Sequence, residues 1–170
     1  QRFDAAIQAH QGTIDKHMGD AVMALFGAPT AQEDDPERAL QTALAMQEEL
    51  RTFVGERHPS RETQRGTAAL QLRIGVHTGP VLLGTVGTTG EYTAMGDAVN
   101  VASRLQQAAP VGGILISHDT YRHVRGVFSV QPLEPLAVRG KADPIPVYLV
   151  RAAKPRAFRV VARGVEGIET

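Results

Sequence analysis

Apolar and polar positions divide this chain into short segments of changing period. Phe3, Ala6, Ile7 and His10 recur at helical spacing and Gly12 suits a helix C-terminus, so residues 1–11 read as the last turns of a helix. Two strand-like runs follow, 13–18 and 21–26, divided by Gly19-Asp20, a pair that suits the tight turn of a hairpin. Asp34-Asp35-Pro36-Glu37 then opens a helix, since the acids favour its positive end and Pro36 suits its first turn. Ala39, Leu40, Ala43, Leu44, Met46, Leu50 and Phe53 supply its apolar face as far as about Val54, and the polar stretch 55–67 reads as a loop.

Leu70, Leu72, Ile74 and Val76 alternate with Gln71, Arg73 and Gly75, the pattern of a half-buried strand. Thr78-Gly79-Pro80 turns this strand into a hairpin partner over 81–86, and Gly84, Gly87 and Gly90 surround the next loop. A helix over 97–108 carries Val101, Leu105 and Ala108 on its apolar face and ends before Pro110. A short strand (113–117), a short helix (119–124) and two strands (128–138 and 145–150) complete the pattern. This order predicts an α+β, split βαβ (ferredoxin-like) fold with a mostly antiparallel sheet flanked by helices, not a doubly wound one. Residues 1–150 read as one domain, and 151–170 as a linker or tail.

Composition narrows the function classes. Lys plus Arg equals Asp plus Glu at 18 each, which leaves no basic footprint for nucleic acid or a membrane surface. Aromatic residues are 5% of the chain, too few for base-stacking strands, so a nucleic-acid module on a related scaffold is disfavoured. Without cysteine there is neither a disulfide framework nor a thiolate zinc site, which fits a cytoplasmic protein. No run is long and apolar enough to insert into a membrane. The six histidines form no metal-ligand spacing, His77 reads as structural, and the four methionines read as core or near-core fillers.

Three segments carry candidate chemistry. In Lys16-His17-Met18-Gly19-Asp20, a cation on a strand precedes a carboxylate at a turn, and such a carboxylate can hold Mg²⁺ beside substrate phosphates. Taken alone, the same residues make an ordinary turn with an exposed charge. In Gly96-Asp97-Ala98-Val99-Asn100-Val101-Ala102-Ser103-Arg104, Asn100 and Arg104 lie four apart on one helix face. An amide and a guanidinium there can grip an anionic substrate, or can simply pair with each other on a solvated face. Arg139-Gly140-Lys141 suits either a phosphate clasp or a solvated turn.

Together, Lys16-x-x-Gly19-Asp20, Gly75-Val76-His77-Thr78-Gly79-Pro80-Val81 and Gly96-Asp97-x-Val99-Asn100-x-Ala102-x-Arg104 resemble the class III adenylate and guanylate cyclases, over roughly residues 3–150. The resemblance implies conversion of ATP to 3′,5′-cyclic AMP, in which the ribose 3′-hydroxyl attacks the α-phosphorus and pyrophosphate leaves, assisted by two Mg²⁺ or Mn²⁺ ions. By the match, Asp20 is a metal ligand, Asn100 orients the ribose, Arg104 stabilises transition-state charge, and Arg139 and Lys141 bind terminal phosphates. Lys16 and Thr93 fall where the family reads the purine. A Lys donates to adenine N1 and a Thr oxygen accepts from N6, whereas guanylate-specific members carry an acid at the Lys position.

The resemblance also implies a head-to-tail homodimer in which Lys16 and Asp20 serve opposite sites. The family's first metal-binding Asp would precede residue 3, and Asp4 and Asp15 are poor substitutes for it, so the chain is expected to be N-terminally truncated and weak or inactive alone. Arg163-Gly164-Val165-Glu166-Gly167 resembles a linker to a downstream ATPase and helical-repeat region. The competing expectation is a catalytically silent, cyclase-like domain that binds nucleotide or mediates dimerisation. Intact Lys16, Asp20, Asn100 and Arg104 weigh against it.

Overall fold

The computed structural model describes residues 2–57, 71–88 and 91–155. Along the chain run α1 (Arg2–Ala9), β1 (Thr13–Met18), β2 (Ala21–Leu25), α2 (Asp35–Arg57), β3 (Ile74–Val76), β4 (Leu82–Val86), β5 (Glu91–Met95), α3 (Asp97–Ala108), β6 (Ile114–Ser117), α4 (His118–Val124), β7 (Phe128–Leu136) and β8 (Ile145–Ala153). The α+β class follows: a four-stranded sheet of order β3-β6-β8-β7 and two separate hairpins, β1-β2 and β4-β5. Among the described residues no helix is long and apolar enough to cross a membrane.

The four-stranded sheet is the centre of packing because β6 is buried along its whole length. Its alternation sends Ile114 and Ile116 into a cluster with Leu40 and Ala43 of α2, Val124 of α4, and Phe128 and Val150. Leu115 joins the other cluster, with Val101 and Leu105 of α3, Ala109, Val138 and Val147. The sheet therefore carries α2 and α4 on one face and α3 on the other. Fully burying each Val, Leu, Ile or Phe side chain among these contributes about 1.5–3 kcal/mol.

One expected pairing comes out differently, and each of its strands takes another partner. The strand 70–76 shortens to Ile74–Val76 and does not fold back on 81–86; β3 instead runs parallel to β6, with Ile74, Gly75 and Val76 opposite Ile114, Leu115 and Ile116. The partner of β4 is β5, from Leu82 opposite Met95 to Val86 opposite Glu91, a strand the glycine-rich surroundings conceal. The parallel pairing needs a crossover, and α3 lies within it. Gly75 permits that crossover to close, since a Cβ there would lie 2.3 Å from Gln106 N and 2.4 Å from Ala102 O of α3. Helix and strand touch backbone to backbone.

Other differences are smaller. Helix α2 continues to Arg57, while the rest of the expected loop lies outside the described residues, as does the tail beyond Pro155. Strand β8 extends to Ala153. On α3, Ala98 joins Val101 and Leu105 in the core while Ala108 is exposed, because the helix ends at that turn and Ala109 turns inward. Met46 is buried as expected, but Met18 and Met95 are exposed on the hairpins.

Arg38 pins the start of α2 to the end of α1. It is buried, donates to His10 O at 3.0 Å and to Asp34 Oδ1 at 3.2 Å, and pairs with the Asp35 carboxylate. The β1-β2 hairpin emerges between these two helices, and its turn places a left-handed φ of 62° on Gly19.

Candidate functional site

The first cluster forms where β1 meets β5. Strand β1 pairs with β2 in a register that shifts between Ile14 and Lys16, so Asp15 is an extra, unpaired residue. Such a bulge twists the strand and re-aims its side chains. In a regular strand Asp15 and Lys16 would point to opposite faces. Here both reach Thr93: Lys16 Nζ donates to Thr93 Oγ1 at 3.2 Å, and Thr93 Oγ1 donates to Asp15 Oδ2 at 2.6 Å. The other carboxylate oxygen, Oδ1, accepts from the backbone N–H of Ala94 at 2.9 Å. Lys16 is exposed while Asp15 and Thr93 are half-buried, so the cluster opens to solvent on the lysine side.

The second cluster forms at the start of α3. Asn100 and Arg104 are exposed on the side of the helix away from Ala98, Val101 and Leu105. Arg104 Nη1 donates to Gln107 Oε1 at 3.2 Å, one turn on. Lys141 reaches back from the loop between β7 and β8 to pair with Asp97 Oδ2 at 2.5 Å. The third sequence segment is thus brought to the helix that carries the second. Arg139 is exposed in the same loop.

Asp20 sits apart, exposed at the tip of the β1-β2 hairpin. Among the described residues no three His, Cys, Asp or Glu side chains converge to hold a metal ion. The described donor set thus offers one hard carboxylate at the turn and does not by itself fit a two-metal cage.

A third set of polar groups lies where the parallel strands β3 and β6 end. The His77 Nδ1 atom is 2.7 Å from Ser117 Oγ, and Thr78 Oγ1 is 3.0 Å from Thr120 Oγ1. Ser117 also caps α4 by accepting from Thr120 N at 3.3 Å. Burial lowers the pKa of His77 below its ordinary value; the nearby Asp119 and Asp97 carboxylates oppose this and Lys141 reinforces it. The expected structural role of His77 matches this geometry, because it links the two strand ends.

Sequence reasoning passed over Asp15, weighing it only as a metal ligand. Nothing in the strand, no Gly or Pro, signals the bulge that brings Asp15 and Lys16 to one hydroxyl. It also passed over the Asp97–Lys141 pair, which joins residues 44 positions apart.

The model of the "Adenylate and Guanylate cyclase catalytic domain" family matches residues 1–152. Adenylate cyclase 1 of Rhizobium meliloti is 34% identical over 152 residues, covering 87% of this chain and 22% of that protein; the chain thus spans under a quarter of that relative's length. Among solved structures, the adenylyl cyclase CyaB from P. aeruginosa is 33% identical with a TM-score of 0.81, covering 91% of this chain and 79% of that one. The guanylate cyclase domain of RhGC from Catenaria anguillulae, in complex with GTP, is 33% identical with a TM-score of 0.77, covering 90% of this chain and 79% of that one.

Proposed function

Because the chain belongs to the adenylate and guanylate cyclase catalytic domain family, we propose that it acts as an adenylate cyclase, forming 3′,5′-cyclic AMP and pyrophosphate from ATP. The observation that carries the choice of ATP is the contact of Lys16 with Thr93. An ammonium and a hydroxyl held together present a donor for adenine N1 and an acceptor for the exocyclic N6 amine. Solved structures named for either activity match this chain about equally well, so the family alone does not choose the base.

In this reading Asn100 orients the ribose through its amide, and Arg104, one turn along α3, donates to the α-phosphoryl oxygens as charge develops. Arg139 and Lys141 take the terminal phosphates, Lys141 leaving Asp97 to do so. Asp20 supplies one carboxylate for Mg²⁺ or Mn²⁺, which would polarise the phosphates. The two groups of residues serve sites shared across a head-to-tail homodimer. The residues after Ala153 then serve as a linker to a further region of the same protein, and the domain works in the cytoplasm.

The test is a product assay with MnATP and MnGTP on the full-length protein, with Asn100→Ala and Arg104→Ala beside it. Cyclic AMP from ATP, suppressed about 10²-fold or more in either variant, is the expected result. A folded, dimeric protein that makes no cyclic nucleotide would instead be a regulatory nucleotide-binding domain.

A further inference from the structure

A threonine hydroxyl is an ambiguous reader of a purine, since it can accept from the 6-amino group of adenine or donate to the 6-oxo group of guanine. The geometry at β1 and β5 removes that ambiguity. Thr93 has one hydroxyl proton, and it lies on Asp15 Oδ2 at 2.6 Å, the length of a charge-assisted bond. Lys16 Nζ, which can only donate, takes one of the oxygen's two acceptor positions at 3.2 Å. What Thr93 then offers to a base is a lone pair and nothing else.

Asp15 is itself held in place. Its second oxygen takes the backbone N–H of Ala94 at 2.9 Å, and Ala94 is 2% exposed, so that N–H has no water to turn to. The β1-β2 and β4-β5 hairpins form separate sheets, and the Asp15 carboxylate stands between them where no backbone ladder runs. The bulge is what lets Asp15 and its neighbour Lys16 act on the same hydroxyl from one strand.

We propose that Asp15 is the positioning residue for base selection: by holding the Thr93 proton it makes Thr93 an obligate acceptor, and so admits a 6-aminopurine and rejects a 6-oxopurine. The proposal rests on the reading of Lys16 and Thr93 as the purine-binding pair.

The effect of Asp15→Asn follows from atom count. An amide has one oxygen, and the buried Ala94 N–H claims it. The amide NH₂ then faces Thr93 and donates to it, which frees the hydroxyl proton to point at the base. The ratio of kcat/KM for ATP to that for GTP should fall about tenfold or more, the effect of one re-wired hydrogen bond of about 1.4 kcal/mol. A purely structural role, pinning β1 to β5, would lower turnover of both nucleotides alike and leave the ratio unchanged; that result overturns the proposal.

A second measurement needs no variant. The triphosphates of N6-methyladenosine and of 6-methoxypurine riboside share size and an N1 acceptor, but one presents a donor at position 6 and the other an acceptor. The wild-type full-length protein should bind the first about tenfold more tightly, measured by displacement of a fluorescent ATP analogue. Equal binding means that the Thr93 proton is free, and also overturns the proposal. If wild-type protein prefers GTP, the purine reading of Lys16 and Thr93 falls as well. If ATP is preferred but neither measurement moves, that reading survives and only the role of Asp15 is lost.

Discussion

The four-stranded sheet and the two hairpins are built on opposite terms. In the sheet, every residue of β6 is buried and two hydrophobic clusters press on it from either side. In the β1-β2 hairpin no residue is fully buried, and on the β4-β5 hairpin Leu82 remains 72% exposed. Yet Lys16, Thr93 and Asp20, three of the residues assigned to substrate and metal, lie on the hairpins. The sheet's own helix α3 carries Asn100 and Arg104 on its outer side. The most buried strand and the proposed purine-binding pair thus lie in different pieces, and the two hairpins are tied to each other by the polar side chains of Asp15, Lys16 and Thr93.

Substitutions can break this contrast or sharpen it. The largest loss of stability is expected from Ile116→Ala, at 0% exposure in the centre of the sheet: about 2–5 kcal/mol by denaturant unfolding. Leu82→Ala on the hairpin should stay within about 0.5 kcal/mol. Comparable losses of the two would mean that the hairpins are part of the core after all. Arg104→Ala should cut cyclic AMP formation about 10²–10³-fold while leaving the unfolding midpoint unmoved, which separates chemistry from stability on a single helix. Gly75→Ala should cost about 1–3 kcal/mol, because the new methyl meets α3 backbone and no side chain can swing away. It should also reduce turnover by displacing Asn100 and Arg104, whereas Gly19→Ala, with nothing within 4 Å of its added carbon, should be felt only through its left-handed φ.

The smallest effect concerns pH. The pKa of His77 is lowered in the fold, from an ordinary value of 6.5. The unfolded chain therefore binds the proton more readily below that value. Stability from neutral His77 is fully present above about pH 6.5 and is lost as pH falls towards the depressed folded value. Melting temperatures at pH 7.5 and pH 5.5 should differ by less in His77→Gln than in the wild type. An unchanged difference would assign the acid sensitivity to other groups.

Much of the architecture was legible because it obeys simple periods. Helix α3 was placed at about 97–108 by its apolar spacing and by Pro110 beyond its end, and β1 and β2 by the Gly19-Asp20 turn. Alternation could not say which strands pair. Thr78-Gly79-Pro80 resembles a hairpin turn, but the backbone of Gly75 is reserved for α3, and β3 takes β6 as its parallel partner instead. At the site, Lys16 and Thr93 were assigned from segments 77 positions apart, and the fold brings them into contact. Asp15 escaped because the rule that reads strands, one face per alternate residue, fails at a bulge.

The bare contact between Gly75 and α3 has a mechanical consequence. With no side chain on Gly75, the backbone of α3 lies directly on the strand, and any larger residue there would hold the helix off. Asn100 and Arg104, on the outer side of α3, are thereby seated on the four-stranded sheet through backbone alone, and the position of both depends on one residue having no side chain.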